Sequence, residues 1–205
     1  MSGGNRPFVV SISGVELLEP PEKYREEFAA KRALFFDDIF DPPFLEILRG
    51  FVRTAEYNRE GVSGLGFRTT ESPARAGGAI SLSLRRPNLM RWVEEVTGCD
   101  PLVLTTGRVQ QIEVNPDTEL SWHNDMWEPN RRIGFTINLS DNAYEGGDFA
   151  LRRAGTEEVL SEHRHVDYGG ALMFDVGYNF EHRVAPVTAG GPRRTYAGWF
   201  YKAEN

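Results

Sequence analysis

Hydrophobic positions recur at helical spacing up to Gly98 and in short alternating runs after Pro101, so the chain reads as helices followed by strands. Asp41-Pro42-Pro43 opens a segment in which Phe44, Leu45, Leu48, Phe51 and Val52 fall on one helical face, with Asp41 in the N-cap position. Pro87 to Thr97 repeats the pattern with Leu89, Trp92, Val93 and Val96, and Gly98 is its stop. Pro20 and Pro21 lead into a third helix, Glu22 to Leu34, whose acidic start suits the positive end of the dipole. These stripes are read as core-facing. Between them, Gly61 to Gly66 and Glu71 to Gly78 are rich in turn residues, as lids over a site or as plain connectors. No Gly-Lys-Ser/Thr follows the glycines, which excludes a phosphate loop.

After Pro101 the predicted strands are 102–106, 109–114, 133–139, 148–152, 171–174, 182–187 and 195–201. Asn115-Pro-Asp, Glu145-Gly-Gly, Gly169-Gly170 and Ala189-Gly-Gly-Pro192 separate them. Many short strands between turn signals predict an antiparallel sandwich or barrel. The expectation is a mainly β fold with flanking helices in a single domain, 1–205. Residues 1–7 have little to bury and are expected to be disordered, 8–100 to form a helix-rich support, and 101–203 to form the β core.

Composition narrows this only slightly. With 205 residues, 40% hydrophobic and 12% aromatic, the chain can build an ordinary globular core. A net charge of −7 argues against nucleic acid as partner, because a phosphate backbone needs a basic footprint. Cys99 stands alone, so no intrachain disulfide forms and a reducing, cytoplasmic location is expected, with the thiol as a small apolar filler. No stretch approaches the roughly 18 apolar residues of a spanning helix, so no membrane partner is expected. Oligomeric state leaves no mark on the sequence.

Chemistry concentrates in the second half. His123 and Asp125 are two apart, and on an extended segment both would point to one side while Asn124 points away. A lone His-x-Asp is more often a surface turn, and His182, in an apolar-flanked strand, is by itself more often a packed histidine. Together they supply the two imidazoles and one carboxylate of a facial triad, which leaves coordination positions open. Arg193 and Thr195 are again two apart, and a guanidinium fork beside a hydroxyl suits a carboxylate. His163 and His165 share the spacing without a carboxylate and are read as a polar loop or strand edge. Trp122, Trp127 and Trp199 wall a substrate pocket or pack the barrel. Arg131-Arg132 and Arg152-Arg153 are read as solvated charge in preference to contacts with an acidic substrate.

Taken in order, His123-Asn-Asp125, Arg132 to Asp141 leading to Tyr144-Glu-Gly-Gly-Asp148, Gly170 to Phe174, His182 to Thr188 and Arg193 to Phe200 resemble a known pattern. Residues 102–201 look like the double-stranded β-helix (jelly-roll) core of the Fe(II)- and 2-oxoglutarate-dependent dioxygenases, most like the prolyl-hydroxylase-like branch. N-terminal helices packed on the core also suit that branch. The resemblance implies His123, Asp125 and His182 as catalytic iron ligands, and Arg193 with Thr195 as the site for the distal carboxylate of 2-oxoglutarate. Arg194 is a rival, since the preceding turn is one residue longer than the commonest spacing. Where the branch often has a cosubstrate-binding Tyr, this chain has Val114, so Gln110, Thr136 and Asn138 become candidate cosubstrate contacts by strand parity. A carboxylate at Asp125 implies hydroxylation and disfavours halogenation. The implied enzyme takes Fe(II), 2-oxoglutarate and O2, hydroxylates an amino acid, a peptide residue or a small metabolite, and releases succinate and CO2. A non-catalytic sensor of metal or 2-oxoglutarate, and a cupin-like metalloenzyme without 2-oxoglutarate, stay open as alternatives.

Overall fold

A computed structural model describes residues 5–62, 66–114 and 120–204. Its first half comprises β1 (Phe8–Val10), β2 (Val15–Leu17), α1 (Glu22–Lys31), β3 (Ala33–Phe36), α2 (Pro42–Thr54), β4 (Glu56–Val62), β5 (Gly66–Ser72), α3 (Arg75–Leu84) and α4 (Pro87–Thr97). The second half comprises β6 (Leu102–Ile112), β7 (Leu120–His123), β8 (Arg131–Asn138), β9 (Tyr144–Gly146), β10 (Phe149–Arg153), β11 (Val159–His163), β12 (Ala171–Asp175), β13 (Phe180–Val184), β14 (Val187–Gly190) and β15 (Arg193–Lys202). None of the described helices is long and apolar enough to cross a membrane.

Two antiparallel sheets organise the chain. One is seven-stranded, in the order β3-β12-β8-β15-β6-β5-β4, and the other four-stranded, in the order β11-β10-β13-β7. Alternation along the central strands of the larger sheet makes it two-faced. Ile133, Phe135 and Ile137 of β8, Ala171 and Met173 of β12, and Tyr196 and Phe200 of β15 join the helices in the larger core cluster. Leu172 and Phe174 of β12 point the other way and meet Phe149 and Leu151 of β10 in a smaller cluster between the sheets. Each large side chain buried fully in these layers contributes roughly 1.5–3 kcal/mol. The helices therefore stabilise the back of the sheet, and the inner face is shared between the smaller cluster and the cavity-lining residues.

Local signals account for two helices as expected. Asp41 accepts the Phe44 N–H at 2.9 Å and caps α2, which buries Phe44, Leu48 and Val52. On α4, Leu89, Trp92, Val93 and Val96 are buried, and Gly98 closes the helix in the left-handed conformation.

Expectations for several segments differ, among them the two strands predicted at 102–106 and 109–114, which form the single strand β6. The helix predicted over Glu22–Leu34 stops at Lys31, because Arg32 turns left-handed at φ 55° and Ala33–Phe36 joins β12 as an edge strand. A short apolar run is ambiguous between helix and strand, and pairing decided it. The turn-rich stretch Glu71–Gly78 is the end of β5 and the start of α3, whose N-terminal N–H groups at Ala76 and Gly77 are accepted by the buried Glu71 carboxylate at 2.7 and 3.0 Å. Of the Gly61–Gly66 stretch, residues 63–65 lie outside the described residues, and its ends belong to the β4–β5 hairpin. The single strand predicted at 182–187 is divided, β13 ending at Val184 and β14 pairing instead with β9. The turn predicted at 115–117 lies outside the described residues.

Gly134 has a steric duty. It sits directly across from Phe174 in the β8–β12 ladder, and a Cβ there would run into the Phe174 ring. That ring lies 4.7 Å from the His182 imidazole, so the glycine admits the aromatic floor beneath it. Gly134→Ala is expected to cost about 1–3 kcal/mol by overpacking, read as a lowered thermal midpoint.

Candidate metal centre and anion pocket

The smaller sheet brings the histidines together. His123 ends β7 and His182 lies directly across from it on β13, with ring centroids 4.2 Å apart. Asp125 follows in a turn at φ 60°, which the Asn124 side chain closes by accepting the Met126 N–H at 3.1 Å. The i, i+2 convergence expected from an extended segment is thus achieved differently: the left-handed turn, not the strand pleat, swings the carboxylate back. Asp125 Oδ1 lies 3.5 Å from His123 Nε2, and Oδ2 lies 3.4 Å from His182 Nε2. One donor atom from each of the three residues lies within 4.8 Å of the others, close enough to share one ion.

Neighbouring groups aim these donors. His123 Nδ1 lies 2.7 Å from the Ser121 carbonyl, which can only accept, so the proton sits on Nδ1 and the Nε2 lone pair faces the cluster. Phe149 and Phe174 flank the His182 ring at 5.8 and 4.7 Å. Trp199 donates from its indole N–H to Asp125 Oδ2 at 2.7 Å. Arg131 donates to the Asp125 carbonyl at 3.2 Å, and its guanidinium lies 3.8 Å over the Trp199 ring. Glu128 in turn accepts from Arg131 at 2.7 Å and from the Tyr201 hydroxyl at 3.0 Å.

Burial disfavours charge on the carboxyl and on His182. Desolvation pushes the Asp125 carboxyl up from the ordinary range, against the pull of His123, Trp199 and Arg131. Desolvation, then the charges of His123 and Arg131, hold His182 well below the ordinary histidine value. A divalent cation would reverse the cost for the carboxylate while using the His182 imidazole, held neutral by burial, as it stands. The donor set therefore fits a metal with two nitrogen ligands and one oxygen ligand.

The same cavity continues from the cluster to Arg193 and Thr195. Residues 193, 195 and 199 share one face of β15, so a single strand supplies the guanidinium, the hydroxyl and the indole that anchors Asp125. Gly147 leaves room for the Arg193 stem, since a Cβ there would lie 2.8 Å from Arg193 Cδ. Arg193 Nε and Thr195 Oγ1 are buried and have no hydrogen-bond partner among the described residues. Burial lowers Arg193 from the ordinary guanidinium value, while Tyr144 and Asp148 pull it up. Two orphaned buried donors on one wall call for an acceptor, and a carboxylate fits.

Other expected residues divide by strand parity. Gln110 lies across from Thr195 on β6 and lines the cavity, as does Thr136. Asn138 shares the row, but its amide donates to the Asp167 carbonyl at 3.0 Å and accepts from the Ser140 N–H, and it does not line the cavity. Arg194 points away, donating to Gln111 at 2.8 Å beside the Tyr57 ring. Val114 is exposed and takes no part. Trp127 is 55% exposed at the cavity wall, its ring 6.0 Å from that of His123, while Trp122 lies outside the cavity under the guanidiniums of Arg152 and Arg183.

Two residues read as ordinary surface are not. Arg131 is 4% exposed and braces Asp125, and His165 is 4% exposed with Nε2 2.9 Å from Thr136 Oγ1. Burial of a charged or polar residue is the relevant signal, and it needs tertiary structure to be seen.

Comparison with known proteins agrees with this geometry. Residues 108–201 match the family model described as the 2OG-Fe(II) oxygenase superfamily. Among solved structures, an oxidoreductase of the 2OG-Fe(II) oxygenase family from Burkholderia pseudomallei superimposes with TM-score 0.63 at 15% identity, covering 92% of this chain and 93% of its own. A prolyl-4-hydroxylase from Pseudomonas putida gives 0.60 at 13% identity, covering 90% of this chain and 100% of its own. A Trichoplax adhaerens prolyl hydroxylase, in complex with a hypoxia inducible factor oxygen degradation domain peptide fragment, gives 0.65 at 12% identity and 88% coverage of both chains. No curated protein matches the chain by sequence. The two facing antiparallel sheets have the double-stranded β-helix fold of these neighbours, and it is this β half, over residues 108–201, that is similar to the 2OG-Fe(II) oxygenase superfamily.

Proposed function

We propose that this protein is an Fe(II)- and 2-oxoglutarate-dependent hydroxylase of a small molecule or peptide residue. The observation that carries the reading is one cavity holding both the His123–Asp125–His182 donor cluster and the Arg193 Nε and Thr195 Oγ1 donors, which have no partner among the described residues. His123, Asp125 and His182 would hold Fe(II), and Arg193 with Thr195 would hold the distal carboxylate of 2-oxoglutarate. When bound, these supply oxidative decarboxylation: 2-oxoglutarate, O2 and a substrate C–H give succinate, CO2 and a substrate C–OH. The chain's own contribution is placement. Trp199 and Arg131 fix the carboxylate, Ser121 fixes the His123 tautomer, and the β15 face sets the spacing between metal and anion donors.

Apolar walls suit the substrate end. Leu120, Trp127, Phe149 and Val184 line the cavity beside the histidines, so the reacting C–H belongs to an apolar portion of the substrate and bulk water is displaced from it. The Trichoplax adhaerens neighbour, with its bound peptide, supports a peptide among the substrates to test.

Three outcomes test this reading. Anaerobic Fe(II)-loaded protein binds 2-oxoglutarate in calorimetry and, in air, converts it to succinate; failure to bind would sink the proposal. Asp125→Ala abolishes succinate formation, whereas Arg193→Gln leaves metal binding intact and weakens 2-oxoglutarate binding roughly a hundredfold, the loss of a charge-assisted fork. Trp199→Phe keeps an aromatic ring but removes the indole N–H, so affinity for Mn(II) as a stand-in falls about 10–100-fold. That variant is read by metal titration.

A further inference from the structure

One hydrogen-bonded pair beside the cavity, Thr136 and His165, is not used by the proposed function. Thr136 lies on β8 across from Ala197 of β15 and lines the cavity with Arg193 and Thr195. Behind it stands His165, which follows β11, its Nε2 2.9 Å from Thr136 Oγ1. The backbone of His165 is fixed as well, since its carbonyl accepts the Tyr144 hydroxyl at 3.0 Å. Tyr144 also interacts with Arg193, which lines the cavity.

The pair has two arrangements. Burial, then the charges of Arg193 and His163, hold the His165 imidazole well below the ordinary value, so it is neutral and carries one N–H. If Nε2 is bare, the threonine proton turns back to the ring and Thr136 shows the cavity only lone pairs. If Nε2 carries the proton, the ring donates to Oγ1 and the threonine proton is free to point into the cavity. The orphaned Arg193 Nε and Thr195 Oγ1 favour the second arrangement, because an anion held by them would be repelled by threonine lone pairs.

We infer that His165 is a positioning residue which, as the Nε2–H tautomer, turns the Thr136 hydroxyl into a third donor beside Arg193 and Thr195 for a carboxylate. The inference rests on the reading of this cavity as a 2-oxoglutarate site. His165 touches neither metal ligands nor substrate and acts only through Thr136.

Calorimetric titration of 2-oxoglutarate into anaerobic Fe(II)-loaded protein tests it. His165→Leu and Thr136→Val each weaken binding roughly tenfold, with metal affinity unchanged. The double variant binds no more weakly than Thr136→Val alone, because His165 has nothing left to orient. His165→Gln, whose amide can donate to the same oxygen, restores binding. Nitrogen NMR of the unaltered protein, which needs no variant to fold, places the His165 proton on Nε2. A proton on Nδ1, additive losses in the double variant, or unchanged affinity in His165→Leu would overturn the inference while leaving the proposed function intact. Absence of 2-oxoglutarate binding by the unaltered protein removes both.

Discussion

The structure turns on the burial of the Asp125 carboxylate between the His123 and His182 imidazoles. A carboxylate that is 2% exposed is costly unless something compensates it, and here Trp199 and Arg131 do so only in part, leaving the carboxyl raised from its ordinary range. Much of the second half serves this one group. The β7–β13 pairing brings the imidazoles to it, the left-handed turn aims it, and β15 supplies the indole that holds it.

Around that constraint the two cores divide the work. The larger core, between the helices and the back of the seven-stranded sheet, fixes β8, β12 and β15 by their odd or even residues. Their opposite residues then have no freedom of direction, so Thr136, Arg193, Thr195 and Trp199 reach one cavity without any loop having to place them. The smaller core lies beside His182 and gives it an apolar floor of Phe149 and Phe174, which keeps the ring neutral and in one orientation. A site built on strand faces is stiffer than one built on loops, and of the three metal-ligand candidates Asp125 departs from that rule.

The sequence made the strong features legible for identifiable reasons. Amphipathic periods with a good cap or stop, as at Asp41 and Gly98, located two helices, and turn residues divided the β half. It misled where apolar runs were short or polar residues were buried. Ala33–Phe36 carries no period to distinguish strand from helix, and Glu71–Gly78 looks like a loop because its helix is capped by a carboxylate from the preceding strand instead of by a local Ser, Thr or Asp. Arg131 and His165 have the composition of a surface and the exposure of a core.

The sequence by itself determined the chemical types and their order: two imidazoles, a carboxylate and a downstream guanidinium with a hydroxyl two residues on. Those follow from side-chain chemistry and from the period of a strand, which are local properties. Only the tertiary structure decided that Asp125 reaches the histidines by a left-handed turn, that Arg193 and not Arg194 faces inward, that Asn138 is engaged with backbone, and that Arg131 and His165 stand behind the site. Each of these depends on which face of a strand is covered and on partners distant in sequence, and burial by distant partners is not written in any local pattern.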